Sequence, residues 1–288
     1  MRSQDDTRQC VANTRPPTDR EAIASQSLTL SYEKQVVIDA LDITLPAQKI
    51  SVLVGSNGCG KSTLLKSFAR LLKPTSGTII VNGADIHRQS TVEVAKSLAI
   101  LPQTPTAPEG LTVYQLVKMG RYPHQSWLKQ WSATDEEKVL QALRSTGVLA
   151  LKGRAVDSLS GGQRQRVWIA MTLAQDTDIV LLDEPTTYLD LAHQMEVLDL
   201  LRELNAQQHK TIVMVLHDLN LACRYAHHMV AVHNRTVFAQ GNPRDILTEA
   251  TVKTVFNLNC RIIDDPFFGT PLCIPFGREA AEHVADVG

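Results

Sequence analysis

A glycine-rich stretch directly after a short apolar run constrains the fold of this chain more than any other feature. The run Ile50–Val54 is typical of a buried strand, and a helical pattern follows from Leu64. Strand, glycine loop and helix in this order form a phosphate-binding loop, in which backbone N–H groups and the helix N-terminus surround phosphate oxygens. The sequence therefore predicts a nucleoside triphosphate site. The loop residues are Gly55, Ser56, Asn57, Gly58, Cys59, Gly60, Lys61, Ser62 and Thr63.

Two loop residues and a pair of carboxylates further along the chain complete the predicted nucleotide site. Lys61 is expected to reach the β- and γ-phosphates, and the Ser62 hydroxyl is expected to ligate Mg²⁺. The apolar run Ile179–Leu182 predicts a buried strand that delivers Asp183 and Glu184 to the sheet edge where ligands bind. Asp183 is then placed to hold Mg²⁺, and Glu184 to accept a proton from the attacking water.

The segment Leu-Ser-Gly-Gly-Gln contributes a second predicted anion-binding helix start. Ser160 can cap the helix that follows, and Gly161 and Gly162 leave the first N–H groups before Gln163 unshielded. One nucleotide does not need two such helix starts from the same subunit. We therefore expect each helix start to contact a different nucleotide in a homodimer.

The glycine loop, the L-S-G-G-Q segment and the acidic strand end about twenty residues later resemble those of ATP-binding-cassette (ABC) transporter ATP-binding subunits, over residues 26–256. The resemblance implies an α/β phosphate-loop NTPase core with a mainly parallel sheet, an antiparallel β subdomain and a helical insertion. It also implies ATP and Mg²⁺ as cofactors, and ATP hydrolysis coupled to transport as the activity.

The same resemblance implies roles for single residues. Tyr32 would stack on adenine, and Gln103 would link Mg²⁺ and water to the helical insertion. The Ser160–Gln163 turn would bind the γ-phosphate of ATP held by the partner subunit. Asp190 would belong to the loop that crosses the dimer interface, and His217 would contact the γ-phosphate. The residues expected to act in catalysis are Lys61, Gln103, Glu184 and His217, and those expected at the metal are Ser62, Gln103 and Asp183.

Three further segments are similar to one subfamily of these ATPases, which serves iron(III)–siderophore importers, with haem and vitamin B12 systems close by. The segments are Gly120–His124, Asp183–Gln194 and Phe267–Pro271. The resemblance implies a homodimer working with two integral-membrane permease subunits and, indirectly, a periplasmic or lipoprotein substrate-binding protein. It implies a peripheral location at the cytoplasmic face of a bacterial inner membrane. The cargo stays open, because the ATPase does not touch it.

Net charge and the length of the apolar runs bear on the alternative functions. The formal net charge is −1, so no general basic field favours nucleic acid as a partner. No apolar run approaches the roughly 18–20 residues that span a bilayer, so any permease is expected to be a separate chain. An ATPase acting on nucleic acid or ribosomes is therefore the weaker alternative, and a cassette feeding an exporter is another.

The pattern divides the chain into three predicted parts. Residues 1–25 are expected to be a disordered tail without the apolar core of a secretory signal. Residues 26–259 are expected to form the ABC ATP-binding domain, with a helical insertion at about 104–157. A short C-terminal extension covers residues 260–288.

The insertion is unusually rich in aromatic residues. Tyr122, Trp127 and Trp131 lie around Pro123 and follow no helical period that would place them in a core. Exposed aromatic side chains of this kind mark partner surfaces. We expect them to form a surface for the permease.

Overall fold

A computed structural model of the protein describes residues 20–33, 35–125 and 131–276. Its strands are β1 (Glu21–Tyr32), β2 (Gln35–Pro46), β3 (Ile50–Val54), β4 (Ser76–Val81), β5 (Ala84–Asp85), β6 (Leu98–Leu101), β7 (Ile179–Leu182), β8 (Thr211–Val215), β9 (His228–His233), β10 (Thr236–Gly241), β11 (Cys260–Asp264) and β12 (Pro271–Pro275). Its helices are α1 (Lys61–Phe68), α2 (Thr91–Ser97), α3 (Val113–Met119), α4 (Ala133–Ser145), α5 (Gly161–Ala174), α6 (Leu191–Gln208), α7 (Leu219–Tyr225), α8 (Pro243–Ile246) and α9 (Glu249–Phe256).

The central sheet has six strands in the order β10-β9-β3-β8-β7-β6. Strands β9, β3, β8, β7 and β6 run parallel, and β10 is antiparallel at one edge. The carboxyl ends of the parallel strands therefore meet at one edge of the sheet, where loops can share a ligand. The loops after β3, β6, β7 and β8 carry the glycine loop, Gln103, the Asp183–Glu184 pair and His217.

Both faces of the central sheet are covered, as its continuous apolar strands predict. Every residue of β3, β7 and β8 is buried. Along β3 the side chains alternate, so that Val52 and Val54 join one hydrophobic core and Leu53 joins another on the opposite face. The predicted α/β core with a mainly parallel sheet is confirmed.

A separate antiparallel sheet in the order β2-β1-β4-β5 confirms the predicted β subdomain. Strand β1 begins at Glu21 and already pairs with β4 at Ile23 opposite Val81. The prediction that the tail runs to residue 25 was therefore wrong for its last five residues. The polar residues around Ala22 and Ile23 obscure the alternating pattern of a strand, although both side chains are buried in β1. Residues 1–19 lie outside the described residues.

The predicted helical insertion contains α3 and α4, and both helices pack against α5. A buried ion pair joins the end of α3 to α4 within the insertion: Arg121 Nε lies 3.0 Å from Asp135 Oδ1, and both side chains are almost fully buried. Another Arg121 nitrogen donates to the Ala174 carbonyl at the end of α5 (2.8 Å). A Cβ at Gly120 would lie 2.2 Å from the Met171 carbonyl oxygen, so only glycine lets α3 approach α5 this closely.

The aromatic residues of the insertion do not share one environment. Tyr122 is 73% exposed, as expected of a partner surface. Trp131 is instead half-buried against the core, with Lys118 Nζ 4.3 Å from its ring centroid and its own indole N–H donating to Glu136 (3.2 Å). The prediction that Trp131 is an exposed partner residue was therefore wrong, because a neighbouring helix covers it. Trp127 lies outside the described residues.

The first part of the predicted C-terminal extension is integrated into the fold. Strands β11 and β12 pair as an antiparallel hairpin. The Asn220 side chain of α7 both accepts from the backbone N–H of Cys273 (2.7 Å) and donates to its carbonyl (3.2 Å). Cys260 and Cys273 are buried in the core. Residues 277–288 lie outside the described residues.

Within residues 20–33, 35–125 and 131–276, no helix combines the length and apolar character needed to cross a bilayer.

Candidate functional site

The glycine loop joins the end of β3 to the start of α1 and wraps around the ammonium group of Lys61. Lys61 Nζ donates to the carbonyl oxygens of Gly55 and Ser56, each at 2.9 Å. The side chain is 5% exposed, which is rare for lysine unless its charge is partnered. The loop therefore holds a buried positive charge beside the backbone N–H groups at the start of α1.

The last glycine of the loop is required by conformation and by space. Gly60 has a φ of 104°, and a Cβ there would lie 2.7 Å from the Ile38 side chain. As the residue preceding α1, Gly60 makes no side-chain cap, so the first N–H groups of this helix have no side-chain acceptor at that position. A helix start of this kind is suited to an anion.

A hydroxyl and a carboxylate lie side by side next to the loop. The Ser62 hydroxyl donates to Asp183 Oδ1 at 2.8 Å, and Asp183 is 3% exposed. Burial raises the pKa of Asp183, and the charge of Glu184 raises it further, against the hydrogen bond from Ser62 and the two lysine charges that lower it. A buried carboxylate beside a hydroxyl oxygen is a donor set that suits a hard divalent cation such as Mg²⁺.

The carboxylate of Glu184 is bound by three side chains from three loops. His217 Nε2 lies 2.6 Å from Oε1, while Gln103 Nε2 (2.6 Å) and the Thr187 hydroxyl (3.0 Å) donate to Oε2. Burial would raise the pKa of Glu184, but these hydrogen bonds, led by His217, outweigh burial and hold the pKa below its ordinary value. Glu184 is therefore ionised at neutral pH. Its φ of 52° is strained for a non-glycine residue.

These groups surround one pocket of about 390 Å³. The sequence analysis missed two residues at this site, Thr187 and Val37. Thr187 sits three residues after Glu184, and its E-P-T-T context was available in the sequence. Val37 comes from the distant strand β2 and carried no motif signal. The pocket lining consists of Val37, Asn57, Gly58, Gly60, Lys61, Ser62, Thr63, Gln103, Glu184 and His217.

The remaining predicted site features lie outside the pocket lining: Gly55, Ser56, Cys59, Asp183, Tyr32, the Ser160–Gln163 turn and Asp190. Tyr32 ends β1 and is 46% exposed, on the strand paired with that of Val37. The Cys59 sulfur is turned inward, 2.8 Å from where a Cβ of Gly55 would lie.

The Ser160–Gln163 turn starts α5 with a reciprocal cap, as predicted for Ser160. The Ser160 hydroxyl accepts from the Gln163 N–H (3.3 Å), and the Gln163 side chain accepts from the Ser160 N–H (3.3 Å). This capping box provides no acceptor for the N–H groups of Gly161 and Gly162. The turn is therefore a second helix start with N–H groups suited to an anion.

Asp190 caps the start of α6, where Oδ1 accepts from the backbone N–H of His193 at 2.9 Å and lies 2.7 Å from its ring Nδ1. The backbone hydrogen bond, followed by the ring hydrogen bond, lowers the pKa of Asp190. Two residues earlier, Tyr188 is 91% exposed with a φ of 65°. The loop before α6 thus projects from the subunit.

Comparisons with known proteins agree with this arrangement. The family model described as ABC transporter matches residues 38–187. The achromobactin transport ATP-binding protein CbrD of Dickeya dadantii (strain 3937) is 73% identical over 92% of this chain and 99% of its own length. The petrobactin import ATP-binding protein FpuD of Bacillus anthracis is 59% identical over 90% of this chain and 95% of its own length.

A solved structure shares the fold as well. An ABC transporter of the metal-chelate type, in an inward-facing conformation, contains a chain that superposes with a TM-score of 0.78 at 30% identity. The superposition covers 90% of this chain and 99% of that one.

Proposed function

The chain belongs to the ABC transporter family of ATP-binding subunits, and from that premise we propose that it hydrolyses ATP to drive a bacterial iron(III)–siderophore importer. The observation that carries the proposal is the pocket lined by Lys61, Ser62 and Glu184, with Asp183 hydrogen-bonded to Ser62 beside it. The names of the relatives at 73% and 59% identity, achromobactin and petrobactin transport, support the cargo class. Haem and vitamin B12 importers are the alternatives within the family.

We assign the reaction to the side chains of the pocket as follows. Lys61 and the N–H groups of the glycine loop bind the β- and γ-phosphates of ATP. Ser62 and Asp183, with Gln103, would hold Mg²⁺, which neutralises charge on the phosphate oxygens. Glu184 accepts the proton of the attacking water, and its ionised state at neutral pH suits a base.

His217 and Gln103 orient this base in the proposed mechanism. Both donate to the Glu184 carboxylate, one to each oxygen, so the group is fixed before water arrives. His217 also lines the pocket and can reach the γ-phosphate side of it. Fixed donors and acceptors lower the cost of reorganisation during the reaction.

The second helix start supports a homodimer as the active unit. Ser160–Gln163 lies outside the pocket that contains Lys61, yet offers uncapped N–H groups of its own. We propose that it contacts the γ-phosphate of ATP bound by the other subunit, so that two ATP molecules lie between two chains. Asp190 and the exposed Tyr188 would then face the partner, and Tyr32 would stack on adenine.

The partner complex follows from the family. We propose that the dimer sits at the cytoplasmic face of the inner membrane, on two permease subunits that receive cargo from a substrate-binding protein. Nucleic acid is not a proposed partner.

A deletion strain tests the cargo. Loss of the gene should abolish uptake of ⁵⁵Fe-labelled siderophore, with ferric achromobactin tested first, while haem and cobalamin uptake continue. Complementation with the wild-type chain should restore uptake, and the Glu184→Gln variant serves as a folded control that should not. Intact siderophore uptake together with loss of haem or cobalamin uptake would contradict the proposed cargo.

Tyr122 provides a test of permease docking. Because Tyr122 is 73% exposed on the insertion, Tyr122→Glu should abolish uptake in cells without changing the melting temperature or ATP affinity of the purified subunit. Phe267→Glu, at an 88% exposed aromatic residue of the C-terminal hairpin, is the matched control and should retain uptake. Normal uptake by Tyr122→Glu would place the docking surface elsewhere.

A further inference from the structure

The start of α5 lies directly against the start of α6 in the same subunit. A Cβ at Gly162 would be 2.4 Å from Cδ2, 2.9 Å from Cγ and 3.2 Å from Nε2 of His193. The imidazole therefore occupies the space that any larger residue at position 162 would need. This gives Gly162 a packing requirement in addition to the exposure of its N–H group.

The imidazole that contacts Gly162 is itself fixed at its other side. Asp190 Oδ1 lies 2.7 Å from Nδ1 of His193 and also accepts the backbone N–H of the same residue. With both hydrogen bonds made to one oxygen, the ring has little freedom to turn. The Nδ1 side of the ring is thus bonded to Asp190, and the Cδ2 side packs against Gly162.

Two neighbouring contacts strengthen the same junction. One helical turn further along, Arg166 of α5 forms an ion pair with Glu196 of α6. On the other side, a Cβ at Gly161 would make ordinary contact with the Leu189 side chain, 3.7 Å away. The two helix starts are therefore joined over at least one turn, and His193 packs directly against Gly162 in the Ser160–Gln163 turn.

We infer that His193 is a positioning residue: it fixes the Ser160–Gln163 turn relative to Asp190, so that both reach the partner subunit in register. The inference rests on the proposed function, because it requires that this turn binds ATP held by another copy of the chain. His193 does not line the pocket around Lys61, so we expect the binding of ATP by a single subunit not to depend on it.

Loss of the His193 side chain should impair ATP hydrolysis and dimerisation but leave the binding of ATP by the monomer intact. His193→Ala should lower kcat by about 10- to 100-fold, the size of effect expected when a reacting group is displaced by about an ångström. The Kd of a fluorescent ATP analogue for the monomer should stay within twofold of wild type. In the Glu184→Gln background, His193→Ala should weaken ATP-driven dimerisation, measured by size-exclusion chromatography with light scattering.

Two further variants separate the two halves of the contact. His193→Asn keeps a donor near the position of Nδ1 but leaves Gly162 uncovered, whereas His193→Phe keeps a ring against Gly162 but loses the bond to Asp190. Both should have kcat values between those of wild type and His193→Ala. His209→Asn, at the exposed opposite end of α6, is the matched control and should behave as wild type, since asparagine tolerates the φ of 52° there.

The outcomes distinguish this inference from the proposed function. If Glu184→Gln alone fails to dimerise with ATP, the proposed dimer is wrong, and so is the role of His193 that depends on that dimer. If Glu184→Gln dimerises and the double variant dimerises equally well, only the role of His193 is wrong. A loss of monomer ATP binding and melting temperature in parallel with kcat would also overturn it, because His193 would then be a general structural residue.

Discussion

The Glu184→Gln variant is expected to hydrolyse ATP about 10²–10⁴-fold more slowly than the wild-type chain, the usual contribution of a general base. The substitution removes the negative charge that accepts a proton but preserves the shape of the side chain. If the amide oxygen takes the place of Oε2, it still accepts from Gln103 and Thr187. The amide nitrogen then faces His217 Nε2, which can accept in its other tautomer.

ATP binding should therefore survive in this variant, and the trapped nucleotide should hold two subunits together. The measurement is phosphate release beside light scattering with and without ATP and Mg²⁺. Glu203→Gln, at an exposed position on α6, is the control for loss of a glutamate charge and should retain normal turnover. Wild-type turnover by Glu184→Gln would remove Glu184 from the proposed mechanism, and a variant that stays monomeric with ATP would contradict the proposed dimer.

Arg121→Leu is expected to destabilise the protein by about 3–5 kcal/mol, because it leaves the buried Asp135 carboxylate without its partner. It also removes the donor to the Ala174 carbonyl, so one bond inside the insertion and one bond between the insertion and α5 are lost together. Denaturant unfolding followed by circular dichroism gives the free energy. The expected loss is a large share of the stability of an ordinary domain.

Two further variants test whether this loss of stability comes from the unpaired buried charge. Lys138→Leu removes one partner of a half-exposed pair with Asp176 in the same region and should cost no more than about 1 kcal/mol. The double variant Arg121→Leu/Asp135→Leu removes both buried charges and should recover part of the stability lost by Arg121→Leu alone. If Arg121→Leu lowers the free energy of unfolding no more than Lys138→Leu does, the ion pair does not stabilise the insertion.

The fold and the site differ in how far the sequence alone predicts them. Lys61, Asp183 and Glu184 follow buried apolar runs, and parallel strands bring such loop positions to one edge, so local pattern was enough to group them. Gln103 and His217 were assigned through resemblance, and the structure places both on the Glu184 carboxylate. Their roles in catalysis remain predictions.

Contacts between distant segments could not be read from local pattern. Val37 reaches the pocket from β2, and His193 meets Gly162 across two helices. His193 lies in the segment Asp183–Gln194 that carries the resemblance, but neither contact is predicted by a local pattern. Trp131 shows the reverse error, since the absence of a helical period suggested exposure while a neighbouring helix covers the ring. The strand at Ala22 was missed because its partners are far along the chain.

The two carbonyl contacts of Lys61 hold its ammonium in place before any ligand arrives. Gly55 and Ser56 accept two of its three N–H donors at 2.9 Å each, and the third donor has only the weaker sulfur acceptor of Cys59, 3.8 Å away. An incoming polyphosphate would therefore meet a cation that is already oriented and still has a donor to offer. The side chain would lose little conformational entropy on binding, because the loop itself has restricted it in advance.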